Sequence, residues 1–78
     1  MSSHLIGAVD LLETLKTWRK SESKRRKIPA FRILSDRSLE ALASQKPRDR
    51  QSLLEVHGIG ETKLELFADS LLALITRA

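Results

Sequence analysis

The residues with the clearest chemical potential form one run, Leu53-Leu54-Glu55-Val56-His57-Gly58-Ile59-Gly60-Glu61-Thr62-Lys63-Leu64. It reads as the end of a short helix, a tight corner with two glycines around Ile59, and the start of a longer helix. Glycine suits backbone that turns with φ > 0 or comes close to another group. Gly58 is placed at the end of the first helix and Gly60 at the opening of the second. The first amides of a helix lack intrahelical partners and carry a partial positive charge. Gly58 and Gly60 could therefore present N–H groups to a phosphate oxygen, with Lys63 one turn in to reinforce the charge. The alternative is a helix–helix corner that only packs, with Val56 and Ile59 in the core.

Other chemistries lack their residues. There is no cysteine, so thiolate catalysis and disulfide bonds are excluded. The two histidines, His4 and His57, have no spacing that would hold a metal. The carboxylate pairs Glu61/Glu65 and Asp36/Glu40 have the i, i+4 spacing of solvated helix faces. No Gly-x-x-x-x-Gly-Lys-Ser/Thr phosphate loop is present. The expectation is a chain with no catalytic residue, no metal site and no cofactor.

Charge points to a partner instead. Fourteen Lys and Arg against ten Asp and Glu give +4, unevenly spread. Residues 1–50 hold twelve basic and six acidic residues, a net of +6; residues 51–78 hold two and four, a net of −2. A basic half of this kind favours a polyanion such as DNA or RNA. No apolar run approaches the roughly 20 residues that span a bilayer, and the start has no signal-peptide pattern, so no membrane partner is expected.

The elements that would carry these residues are all helical. Val9, Leu12, Leu15 and Trp18, with Leu11 beside them, make one apolar stripe on a helix from Val9 to about Lys27. Trp18 is its core anchor. Beyond Trp18 the run to Lys27 is polar all round, which predicts last turns that project past the core or fray. Pro29 stops the helix, and Ala30–Leu34 is an extended or single-turn connector with Ile33 and Leu34 pointing inward. Ser35 is placed as the N-cap of a helix through about Ser44, buried along Leu39 and Leu42. Asp49 caps a third, short helix holding Leu53, Leu54 and Val56. After the corner, Leu64, Phe67, Leu71, Leu74 and Ile75 keep a helical period, which Ala68-Asp69-Ser70 could bend or split. The fold expected is all-α, a compact bundle of four to five short helices with a helix–Gly-x-Gly–helix corner. Residues 1–8 are read as a flexible lead-in and residues 9–78 as the domain. At 78 residues it buries roughly 60–65% of its unfolded surface, which leaves no room for a deep catalytic cavity.

In order and spacing these motifs resemble the HRDC domain (helicase and RNase D C-terminal). The matching residues are Leu15-Lys16-Thr17-Trp18-Arg19, Ile28-Pro29-Ala30-Phe31, Ser35-Asp36-Arg37-Ser38-Leu39, Pro47, and Leu53 through Leu64. They cover about Leu11 to Ile75. The resemblance implies a C-terminal accessory module, most like that of a RecQ-type ATP-dependent DNA helicase, in a bacterial cytoplasm or nucleoid. It would tether and tune the helicase on single-stranded or forked DNA, with the remainder of the parent in cis and the module monomeric. RNA, as in an RNase D-type exonuclease, is the less favoured partner. A protein-docking, regulatory role is the alternative of another class.

Nucleic-acid contacts are expected from the connector and the basic residues near it. Lys20, Lys24, Arg26, Lys27 and Arg32 would meet phosphates, Lys63 would add to them, and Phe31 would stack a base. Phe31 stands where the family often has Tyr, so stacking survives without the hydroxyl; core packing is its other reading. Lys24-Arg25-Arg26-Lys27 replaces residues that are often acidic, and Ala68 replaces a frequent Gly. Glu55, Glu61 and Glu65 surround the glycine corner and weaken its claim to a phosphate.

Overall fold

The structure is a computed structural model and describes residues 7–77. Five helices follow one another: α1 (Gly7–Arg26), α2 (Ala30–Ile33), α3 (Asp36–Gln45), α4 (Arg50–Leu54) and α5 (Glu61–Arg77). No strand occurs among the described residues. α1 packs against α2, α3 and α5, and α4 against α5. One core results, built from Leu11, Leu15, Ile33, Leu34, Leu39, Leu42, Leu53, Val56, Ile59, Phe67, Leu71 and Ile75, with Ala43 and Ala68 at close approaches.

The caps explain where the helices start. Ser35 Oγ accepts from Ser38 N at 3.1 Å, and Asp49 Oδ1 accepts from Ser52 N at 2.8 Å, each satisfying an orphan amide of a first turn. Two helix ends are closed by lysines in the left-handed region, Lys27 at φ 58° and Lys46 at φ 48°. Behind Lys27 the Ile28 amide returns to Ser23 O at 3.1 Å, the six-residue closure of a Schellman turn. Pro29 follows and prevents continuation.

Three expectations need correction. The polar run after Trp18 neither frays nor leaves the fold: α1 continues through Arg26, because Glu22 and Arg26 fold back onto it and Arg26 lies over the Phe67 ring, 5.1 Å from its centroid. Ala68-Asp69-Ser70 does not break the last helix. Ala68 is a strong helix former and is buried, while Asp69 and Ser70 face solvent, so α5 runs unbroken for 17 residues. Val56 is not on the short helix, which ends at Leu54, and enters the core from the turn beyond it; Leu53 and Leu54 lie on α4 as expected, Leu53 buried and Leu54 partly exposed. Trp18 is half-buried and meets Phe67 edge to face at 5.2 Å, as an anchor should.

The corner between α4 and α5 depends on glycine at one position more than the other. α4 is already capped at Glu55, so Gly58 sits three residues beyond it, at φ +84°. Its open side faces Ser38, whose Oγ donates to His57 O at 2.7 Å; a Cβ on residue 58 would overlap that hydroxyl. Ser38 is buried and also accepts from the Ser35 hydroxyl, so one serine ties the corner to the start of α3. Gly60 differs. Its carbonyl accepts the first α5 bond, from Leu64 N at 2.9 Å, and a Cβ there would meet nothing within 4 Å. Gly58→Ala is therefore expected to lower stability by about 2–3 kcal/mol, through left-handed strain and the displaced Ser38 bond. Gly60→Ala should cost about 0.5 kcal/mol. Urea unfolding of both variants checks this, and equal losses would refute the Ser38 account.

Candidate nucleic-acid interface

α2 is a single turn between two long helices, and a single turn has little stability of its own. Pro29 gives it no side-chain cap, and its internal bonds are Arg32 N to Pro29 O at 3.0 Å and Leu34 N to Ala30 O at 3.3 Å. Its C-terminal carbonyls are secured from outside. Lys63 Nζ, reaching from the first turn of α5, donates to Arg32 O and Ile33 O, both at 2.6 Å. Arg19, from the middle of α1, donates to Leu34 O at 2.8 Å and pairs with Asp36 at 2.8 Å. Three consecutive carbonyls are thus held by two cations on two different helices. Burial and then the charge of Arg32 lower the pKa of the Lys63 ammonium from the ordinary lysine value.

On this fixed turn the side chains divide by direction. Ile33 and Leu34 fill the core, as their apolar character requires. Phe31 points out and is 70% exposed, so it is not a core residue. Around it in the chain Lys27, Ile28, Pro29 and Arg32 are also exposed, giving an apolar knob flanked by cations. Lys20 and Lys24, one turn apart, are exposed on α1. Among the described residues Lys20, Lys24, Lys27 and Arg32 have no ion-pair partner within 4.0 Å.

Arg26 stands apart from that set. Its Nε donates to Glu22 Oε1 at 2.9 Å while its guanidinium covers Phe67. Arg25 donates to the same Glu22 oxygen at 2.8 Å. The glycine corner faces a different way: Gly58 opens toward Ser38, only Gly60 borders open space, and Glu55, Glu61 and Glu65 beside it are exposed. Lys63 does not gather with the corner; its ammonium is on the connector. Arg19 is a functional residue beyond those the sequence singles out, and its i, i+4 spacing from Leu15 on the Trp18 face is the signal that it turns inward. No group of three potential metal ligands occurs among the described residues, and no helix is long and apolar enough to cross a membrane.

The model of the HRDC domain family matches residues 9–75. This chain belongs to the HRDC family. HRDC domains are accessory modules without catalysis of their own. The third HRDC domain of D. radiodurans RecQ superposes with a TM-score of 0.86 at 34% identity, covering 90% of this chain and 92% of that one. In sequence, the chain is 38% identical over 66 residues to the ATP-dependent DNA helicase UvrD2 of Mycobacterium tuberculosis. It is 32% identical over 66 residues to the ATP-dependent DNA helicase RecQ of Pasteurella multocida. Each alignment takes 85% of this chain but only 9% of UvrD2 and 10% of RecQ. Ribonuclease D of Granulibacter bethesdensis is 38% identical over 50 residues, 64% of this chain and 13% of that protein.

The Glu22 cluster makes a prediction for the HRDC fold itself. Burial alone would raise the Glu22 carboxyl, but the hydrogen bonds from Arg26 and Arg25 and their charges outweigh it and hold it below the ordinary glutamate value of 4.5. A carboxylate depressed in the folded state stabilises above its unfolded pKa and loses that contribution as pH falls through the folded one. Glu22→Gln should cost about 0.5–1 kcal/mol at neutral pH. Urea unfolding should show the difference from wild type shrinking once the pH drops below 4.5. A difference that persists undiminished in acid would mean that the ion pairs are not its source.

Proposed function

We propose that this HRDC domain is the nucleic-acid-binding module of an ATP-dependent DNA helicase, tethering and tuning its parent on single-stranded or forked DNA. The observation that carries the reading is Phe31, an aromatic ring 70% exposed on a connector whose backbone is held rigidly and whose flanks are cationic. An exposed ring lets water contact apolar surface unless something covers it, and a base face covers it well. Stacking of one base is worth about 1–3 kcal/mol. Lys20, Lys24, Lys27 and Arg32 would neutralise phosphates beside it, while Arg26 stays with Glu22 and Phe67. The two helicase relatives favour a helicase parent of the RecQ or UvrD2 kind over an exonuclease, and with it an intracellular, bacterial setting. Affinity from so few contacts is weak alone and becomes useful through the effective concentration that tethering creates.

Fluorescence anisotropy with labelled single-stranded and forked DNA, at about 20 mM and about 150 mM salt, tests the proposal. Four phosphate contacts on a single strand give a slope of log K against log salt of about −3. Phe31→Ala should weaken binding about tenfold or more with the slope unchanged. A Lys24/Lys27/Arg32→Ala triple variant should flatten the slope by about 2. Absence of binding even at low salt would sink the reading.

A second reading rests on a separate observation. Glu55, Glu61 and Glu65 are exposed and have no ion-pair partner within 4.0 Å among the described residues. They could dock the module on a basic surface of its parent. Neutralising all three would disrupt such docking, and would leave DNA binding intact or stronger if the connector is the site.

A further inference from the structure

We infer that Lys63 is a positioning residue, which sets the conformation of the connector so that Phe31 presents its ring, rather than a phosphate contact. The inference rests on the nucleic-acid reading of Phe31 and names what supports that site. Three facts combine. The connector helix is one uncapped turn, whose second internal bond is long at 3.3 Å. Its last carbonyls, at Arg32 and Ile33, have no intrahelical partner and would otherwise need water. The Lys63 ammonium supplies both at 2.6 Å, and the first of them belongs to the residue that follows Phe31.

A phosphate would have to compete with those two carbonyls for the same N–H groups. Two of the three ammonium donors are committed, and short bonds from a charged donor are among the stronger ones in proteins. The Arg32 side chain, by contrast, is exposed, and only the backbone carbonyl of that residue accepts from Lys63. Arg32 thus contributes its carbonyl to the clamp and its guanidinium to the solvent. Its positive charge beside the ammonium also discourages a role in which Lys63 swings outward to join it. Arg19 acts from the other side on Leu34 O, but its bond with Asp36 also joins α1 to α3, so Lys63 is the cleaner handle.

The test is a double-mutant cycle of Lys63→Met and Phe31→Ala, read by anisotropy with labelled oligothymidylate across a salt series. Amide hydrogen exchange on the same proteins accompanies it. Lys63→Met is expected to weaken binding about fivefold and to leave the salt slope unchanged; in the Phe31→Ala background it should add less than about twofold. Exchange at Arg32 and Leu34 should quicken about tenfold or more, while Leu39 and Leu71 in the core keep their protection. If the losses multiply and the slope falls by about 0.7, Lys63 meets a phosphate directly and the inference is overturned. Unchanged exchange at Arg32 and Leu34 overturns it equally. Should the wild-type protein bind no DNA, the nucleic-acid reading fails while exchange still decides whether Lys63 orders the connector.

Discussion

A one-turn helix ends on carbonyls that nothing within it can satisfy, and this domain resolves the problem with long cationic side chains. Lys63 and Arg19 reach from α5 and α1 to three consecutive carbonyls between them. The connector is thereby fixed to both long helices. Ile33 and Leu34 are then driven into the core on one side, and Phe31 is left outside on the other. The direction of one aromatic ring follows from where three oxygen atoms find donors.

The positive charge of the chain therefore serves two ends. Arg19 and Lys63 hold backbone, and Arg25 and Arg26 close on Glu22 with Arg26 covering Phe67. Those four cations are engaged within the fold. Lys20, Lys24, Lys27 and Arg32 remain exposed on and beside the connector, so the surface offered to a polyanion there is set by far fewer groups than the fourteen Lys and Arg of the chain. The split also helps the basic end of α1 stay helical. Glu22 offsets the mutual repulsion of the like charges in that last turn.

Periodicity made most of the bundle legible. Leu15, Leu39, Leu42, Leu53, Phe67, Leu71 and Ile75 fell where a 3.6-residue repeat puts a buried face, and Ser35 and Asp49 were readable as caps. What could not be read was pairing between distant side chains and backbone. Nothing in the spacing of Ser38 and His57 announces their bond across 19 residues, and without it Gly58 looked free to face a ligand. Lys63 likewise looked like a charge beside a glycine corner, because its partners lie 30 and 31 residues away and are carbonyls that every residue possesses. Glu22 was hidden for a different reason. A polar run has no hydrophobic period, so the ion pairs that help keep it helical are not written in the spacing of its apolar residues.

The left-handed turn at Lys27 has a consequence for how this domain can change. A glycine would fit its φ of 58° without a Cβ penalty, and lysine there is strained by about 1 kcal/mol. Yet the strained residue also places a charge at the edge of the connector, next to Ile28 and close in sequence to Phe31. Relieving the strain removes the charge. At this one position, thermal robustness and grip on a polyanion are opposed, so selection for either would leave a different residue behind.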